Sequence, residues 1–346
     1  MNGFLKKIKF RWVALFLLLL YVWIVMSVPA MGEWYARHLY PFISFILSRI
    51  SFLLPFSVGD VFIYGSIAGL LVYWGYALVK RRSWKRTLGH SIEYLLWVYV
   101  WFYLSWGLNY FRENFFSRTG TVYVEYSPEQ FKQFLTVYTD SLNSSFVAFD
   151  KIDESLVSAE IKDGYNMMDR RFGLNRPAAY LRAKPMLIPP LMSGVGVLGY
   201  MGPFFNEYNL NPRLLPVQYP FTYAHEMAHV LGISSEAEAN LYAYLVCTQS
   251  KIPEIRFSGY FGLLSYVLEN AYMLLSEDEF NQWRESISPE IRELYNRKVT
   301  FWQAQYSPFI GELQDTLYNW FLKGNNIPTG RKNYSEVVAL LMALNK

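Results

Sequence analysis

The segment Phe221-Thr222-Tyr223-Ala224-His225-Glu226-Met227-Ala228-His229-Val230-Leu231 contains the pattern His-Glu-x-x-His. On a helix, two histidines four positions apart fall on one face, and Glu226 beside the first points toward the same side. Paired imidazoles at this spacing suit zinc. They supply two of the three protein ligands that a catalytic site needs, and the fourth position is left for water. Glu226 is not a ligand in this scheme. Its carboxylate would accept a proton from the metal-bound water, which makes the expected chemistry hydrolytic attack on a polarised carbonyl, with Glu226 as general base. The chain has only four histidines and 20 glutamates in 346 residues, so chance places such a pattern in roughly one sequence in 500 of this composition.

A third ligand must come from elsewhere. The other positions from Thr222 to Ile233 are uncharged and free of proline, as expected of a helix packed inside a domain, and Gly232 supplies its stop. A second helix is expected at once, over Ser234-Ser235-Glu236-Ala237-Glu238-Ala239-Asn240. Ser235 and Glu238 have capping-box spacing, which gives Glu238 a structural role, whereas Glu236 and Asn240 lie four apart on one face. Glu236 is therefore the expected third ligand, with Glu238 as the alternative. Asn240 is expected to orient a ligand histidine through its free ring nitrogen.

The elements that would hold this site read as a helix-rich domain from Arg112 onward. Ser127-Pro128-Glu129, Ser288-Pro289-Glu290 and Ser307-Pro308 are helix starts, with serine as N-cap and proline at the first helical position. A short β region is expected between Ala183 and Asn211. It comprises the apolar run Lys184 to Pro190, a glycine-rich loop Ser193 to Gly202, and a strand over Phe204 to Leu210. Gly194, Gly196 and Gly199 have the spacing of a dinucleotide loop, but no βαβ unit surrounds them, so a connecting loop is expected instead. The single cysteine, Cys247, sits in an apolar run and reads as a core residue.

Ahead of this domain the composition changes. The whole chain is 53% hydrophobic and only 17% charged, and most of the apolar surplus lies in the first 110 residues, which excludes disorder and a coiled coil. Basic residues cluster in that region instead of forming a stripe on a folded surface, so the net charge of +4 does not point to nucleic acid. Three membrane spans are expected near residues 12–30, 61–79 and 94–110. Lys6, Lys7, Lys9 and Arg11 precede the first, and Lys80, Arg81, Arg82, Lys85 and Arg86 follow the second. The positive-inside rule then puts the N-terminus in the cytoplasm, and three crossings put residues 111–346 outside it. The apolar segment Tyr40 to Leu54 carries Arg49 and is expected to be interfacial or re-entrant rather than a fourth span.

His-Glu-x-x-His followed by Glu236-x-Glu238-Ala239-Asn240 resembles the zinc peptidases of the gluzincin type, whose glutamate ligand comes from the next helix. The resemblance implies an α+β zincin-like domain with a small sheet, one Zn²⁺ per chain, and an edge strand that binds extended substrate. By that resemblance the edge strand is Gly202 to Glu207, with Phe204, Asn206 and Glu207 facing substrate. It also implies a residue that steadies the oxyanion. No histidine follows His229, so Tyr260 and Tyr266 are the nearest candidates. More closely, the chain resembles an uncharacterised family of bacterial membrane proteins known as a domain of unknown function, the 3810 family. That likeness rests on Trp106-Gly107-Leu108-Asn109-Tyr110, Gly202-Pro203-Phe204 with Glu207, Pro220-Phe221-Thr222, Glu236 to Asn240, Ser258-Gly259-Tyr260 and Asn333-Tyr334-Ser335. Phe205-Asn206 departs from the Thr-Gly pair expected there.

The reading that follows is a multi-pass membrane protein whose domain outside the cytoplasm is a zinc-dependent peptidase, with membrane lipid and a peptide or envelope protein as partners. A non-catalytic metal-binding sensor or scaffold is the alternative. An intact Glu226 favours the enzyme, because a structural site needs no general base. A small transporter is a third reading, and the absence of charge inside the expected spans counts against it.

Overall fold

The computed structural model describes residues 10–123, 125–329 and 336–344. Lys6, Lys7, Lys9 and the Asn333-Tyr334-Ser335 triplet lie outside the described residues. The chain divides into two compact units, one made of residues 1–113 with Gly202–Glu207, the other of residues 114–201 with 208–346.

The first unit is helical, with α1 (Phe10–Ser27), α2 (Pro29–Trp34), α3 (Tyr40–Phe52), α4 (Val58–Val79) and α5 (Trp84–Ser105). A π-helical turn, Tyr35–Leu39, joins α2 to α3. Among the described residues, α1 and α4 are long and apolar enough to cross a membrane. The third expected span is not among them. Its apolar stretch is cut at Trp106, where α5 ends and a 3₁₀ turn, Gly107–Phe111, begins. The helical part from Tyr94 to Ser105 is too short for a bilayer core that takes about 20 residues, and the rest of α5 carries Lys85, Arg86 and Glu93. At 13 residues, α3 is likewise short of spanning length. The unit does bury charge: Arg112 grips Glu33 through two contacts of 2.9 Å, and the buried Glu93 is met at 2.7 Å by the half-exposed Arg11. Each of these charges is paired, as burial requires.

The second unit runs α6 (Phe115–Thr119), α7 (Pro128–Ser145), α8 (Glu154–Met167), β1 (Lys184–Pro185), α9 (Pro189–Gly194), β2 (Gly199–Gly202) and β3 (Glu207–Leu210). It continues with α10 (Tyr219–Val230), α11 (Glu236–Thr248), α12 (Pro253–Leu274), α13 (Glu277–Ser286), α14 (Pro289–Gln303), α15 (Pro308–Gly324) and α16 (Val337–Leu344). The three expected Ser-Pro starts open α7, α14 and α15, and at α7 Ser127 and Gln130 form a reciprocal capping box. The sheet order is β1-β3-β2, with β1 and β3 parallel, Lys184 opposite Asn209. β3 is therefore central, with β1 and β2 at the two edges.

α10, α11 and α12 form the centre of the core. Nearly every residue of α10 from Pro220 to Val230 is buried, which explains why its sequence outside His225, Glu226 and His229 is uncharged. Two glycines of α12 allow this close packing. A Cβ on Gly262 would come within 2.2 Å of the Phe221 ring, and one on Gly259 within 2.7 Å of Cys247. Ser258, between the core residues Phe257 and Gly259, accepts from the Phe221 N–H at 3.1 Å and donates to Val217 O at 2.7 Å, tying the start of α10 to α12. Ser258-Gly259-Tyr260 is thus a packing motif.

Candidate metal centre

α10 and α11 are joined by five residues. Gly232 takes φ +97°, which a residue with a side chain rarely adopts, and the Ile233 N–H returns to Ala228 O at 3.1 Å. This turn stops α10 and also aims the Ile233 carbonyl at His229, whose Nδ1 donates to it at 2.7 Å. From α11, one turn past its start, Asn240 Oδ1 accepts from His225 Nδ1 at 2.8 Å. With both Nδ1 atoms engaged as donors, both Nε2 atoms carry their lone pairs outward.

Those lone pairs converge with a carboxylate oxygen. His225 Nε2 and His229 Nε2 are 3.2 Å apart, and Glu236 Oε2 lies 3.1 Å from the first and 3.3 Å from the second. A tetrahedral ion with ligand bonds of about 2.0–2.1 Å has ligand-to-ligand edges of about 3.3–3.4 Å, so the three atoms stand close to one face of such a tetrahedron. Glu236 Oε2 is buried without a hydrogen-bond partner. An orphaned acceptor between two imidazole lone pairs is costly unless a cation sits among them. The donor set and spacing fit zinc.

The electrostatics of the triad follow from its closeness. Burial by itself would raise the Glu236 carboxyl, but His229 and His225 overcome it and hold Glu236 well below the usual carboxylate range. Burial by itself would lower His229, but Glu236 overcomes that and raises it to about 9. Glu226 goes the other way. Burial drives its carboxyl up to about 7, against the opposing pull of His225 and His229. Its Oε2 is also without a hydrogen-bond partner, and β2 closes on it so tightly that a Cβ on Gly199 would come within 2.6 Å of Oε1 and 2.7 Å of Cγ. A buried carboxyl pushed up to about 7, beside three groups that could hold a metal, stands in the range asked of a general base.

The two glutamates of α11 separate cleanly. Ser235 caps the helix through the Glu238 N–H, while the Glu238 carboxylate forms a buried ion pair with Arg118 and accepts from Tyr242 Oη at 3.2 Å. Arg118 in turn donates to Phe172 O at 3.1 Å. Glu238 is thus spent on tying α6 to α11, two residues and nearly opposite on the helix from Glu236.

The expected substrate strand is placed differently. Phe204 and Asn206 lie in the turn between β2 and β3, and Glu207 opens the central strand. Pro203 has no N–H to offer a ladder, and Asn206 takes φ +53°, so pairing breaks here. Their side chains are engaged inside the first unit. Tyr40 Oη donates to Asn206 Oδ1 at 2.8 Å, the Gly59 N–H and Ser57 Oγ donate to Glu207 Oε1 at 2.6 and 3.1 Å, and Phe204 packs on Phe62. Glu207 thus caps the first turn of α4. Residues 204 and 206 thus lie in a turn and residue 207 in the central strand, while β1 and β2 are the edges of the sheet.

Of the two candidate tyrosines, Tyr260 packs against Tyr138 and Tyr244 in the core, away from the triad. Tyr266 stands beside Asn240, where burial raises its hydroxyl to about 12. The tyrosine that touches the triad is one the sequence did not single out: Tyr318 of α15 donates to Glu236 Oε1 at 2.8 Å. No spacing rule links positions 82 apart.

Residues 35–342 match the family described as Protein of unknown function (DUF3810). No curated protein and no solved structure matches the chain.

Proposed function

The chain belongs to the DUF3810 family, and we propose that it is a membrane-associated zinc-dependent peptidase. The observation that carries this reading is Glu226: a buried carboxyl whose Oε2 has no hydrogen-bond partner, raised to about 7, set against three converging groups that could hold a metal. A site built only to bind a metal for stability gains nothing from such a group.

His225, His229 and Glu236 would hold the zinc, which when bound supplies Lewis acidity toward a water molecule and a substrate carbonyl. Asn240 and the Ile233 carbonyl engage the two Nδ1 atoms, which turns both Nε2 atoms inward toward the place an ion would take. Glu226 takes the proton from water and passes it to the leaving amine, a transfer that a carboxyl with a pKa near 7 performs in both directions at neutral pH. β2 runs past Glu226 as an edge strand, so an extended peptide added along it would carry its scissile bond toward the carboxylate. Peptide backbone is the substrate class this arrangement suits.

The test is metal removal and return on the full chain in detergent. Chelation should abolish hydrolysis of a mixed set of quenched fluorescent peptides, and one equivalent of zinc per chain should restore it. A chain that takes up one zinc and cleaves none of the set would overturn the proposal.

The packing of β2 gives a second expectation. Gly199→Ala puts a methyl group where Glu226 now lies, and a misplacement of about 1 Å in a catalytic group can cost on the order of 10²-fold. Zinc content should stay at one per chain while kcat/KM falls by about that factor. An unchanged kcat/KM would show that β2 does not set the position of Glu226.

A further inference from the structure

The two oxygens of Glu236 face different ways. Oε2 is turned to the histidines, at 3.1 and 3.3 Å from their Nε2 atoms. Oε1 is turned to α15 and accepts from Tyr318 Oη. The hydroxyl is placed by the inner face of that helix. Gly311, Tyr318 and Leu322 lie seven and four positions apart, on one side. Leu322 is fully buried, and Gly311 lies so close under the Tyr306 ring that a Cβ would come within 2.2 Å of its hydroxyl. The Tyr318 ring also stacks on Phe321, with centroids 6.2 Å apart and planes 15° apart. The opposite side of α15 exposes Phe309, Leu313 and Trp320, so the inner face alone fixes where Tyr318 reaches.

We propose that Tyr318 is a positioning residue for the metal: by holding Glu236 Oε1 it presents Oε2 alone to the ion. This rests on the reading of His225, His229 and Glu236 as metal ligands. The physical reason lies in the carboxylate. Its terminal torsion is broad and roughly two-fold, so an unheld glutamate can swing both oxygens toward a cation. Binding through both would take the coordination position that a catalytic site keeps open. A hydroxyl donating to Oε1 occupies that oxygen and fixes the torsion. Partners of this kind, one layer behind the ligands, typically account for about 10–100-fold in metal affinity.

The experiment uses the full chain in detergent with Tyr318→Phe, which keeps the ring and its stacking and removes only the O–H. Zinc affinity is measured by competition with a chelator, and the visible absorption of the cobalt-substituted protein is recorded beside it. The expected result is a zinc Kd raised about 10–100-fold, with a weaker cobalt band, because a carboxylate bound through both oxygens raises the coordination number and five-coordinate cobalt absorbs less than tetrahedral. The double variant Glu236→Gln with Tyr318→Phe should bind zinc no more weakly than Glu236→Gln alone, since Tyr318 acts only through that carboxylate. Full additivity in the double variant would mean a general loosening of α15 and would overturn the proposal, as would an unchanged Kd and spectrum in Tyr318→Phe. A wild-type chain that takes up no zinc would instead overturn the metal reading itself, so the two failures are distinguishable.

Discussion

Glu226→Gln leaves the chain with one zinc and lowers peptide hydrolysis by about 10²–10⁴-fold, the range that a positioned general base contributes. Glutamine has nearly the same shape, so it fits the space that Gly199 leaves and disturbs neither His225 nor His229. What it cannot do is take a proton. It also removes an ionisable group that burial has raised to about 7, so folding of the variant should be no less favourable above neutral pH, where the wild-type carboxylate is charged and desolvated. The sign follows from linkage. A carboxyl whose pKa is raised in the folded state costs stability once the pH exceeds its unfolded value near 4.5, and the whole cost is present above about 7. Zinc analysis, kcat/KM and thermal unfolding of metal-free protein check the three parts separately. Wild-type turnover in Glu226→Gln would end the proposed mechanism, whatever the zinc content.

His229→Ala removes both zinc and hydrolysis. The side chain is buried, its Nδ1 is engaged by Ile233 O, and its Nε2 is one corner of the triad. Zinc sites in small domains bind with about 10–16 kcal/mol in total, so losing one of three protein ligands should weaken affinity by about 10²-fold or more. The substitution also leaves a cavity and frees the Ile233 carbonyl, which adds a stability loss of about 1–3 kcal/mol in the metal-free state. Zinc retained at one per chain after dialysis against a weak chelator would show that these three residues do not form the site. The contrast between the two variants carries the information: Glu226→Gln separates chemistry from binding, and His229→Ala does not.

Much of the site was legible because it is local. His225, Glu226 and His229 share one helix turn, and the helix period alone puts the histidines on one face. Glu236 and Asn240 come from the next helix only seven residues on, and the turn at Gly232 is short enough that few arrangements exist. The choice between Glu236 and Glu238 could be made from capping logic, though the reason proved fuller than a cap. Arg118, more than a hundred residues earlier, pairs with Glu238 and withdraws it from the site. The turn at residues 203–206 was not legible for a related reason. Gly202 to Glu207 looks extended and apolar, but its polar atoms satisfy Tyr40, Ser57 and Gly59, partners that lie far away in sequence. The helix end at Trp106, which cuts the apolar stretch 94–110, was not legible from apolarity alone.

The sequence by itself determined the His-Glu-x-x-His pattern, the helices that carry it, the turn that separates them, and the apolar stretches that become α1 and α4. Each of these is set by residue type and period over fewer than about 25 positions, where propensity, capping and hydropathy act. Only the tertiary structure decided what surrounds the pattern: the burial that raises Glu226, the closure by Gly199, the withdrawal of Glu238 by Arg118, and the reach of Tyr318 to Glu236. These depend on which distant side chains are brought within a few ångströms and on how much water they exclude. Desolvation and hydrogen-bond geometry are properties of the packed interior and leave no period in the chain.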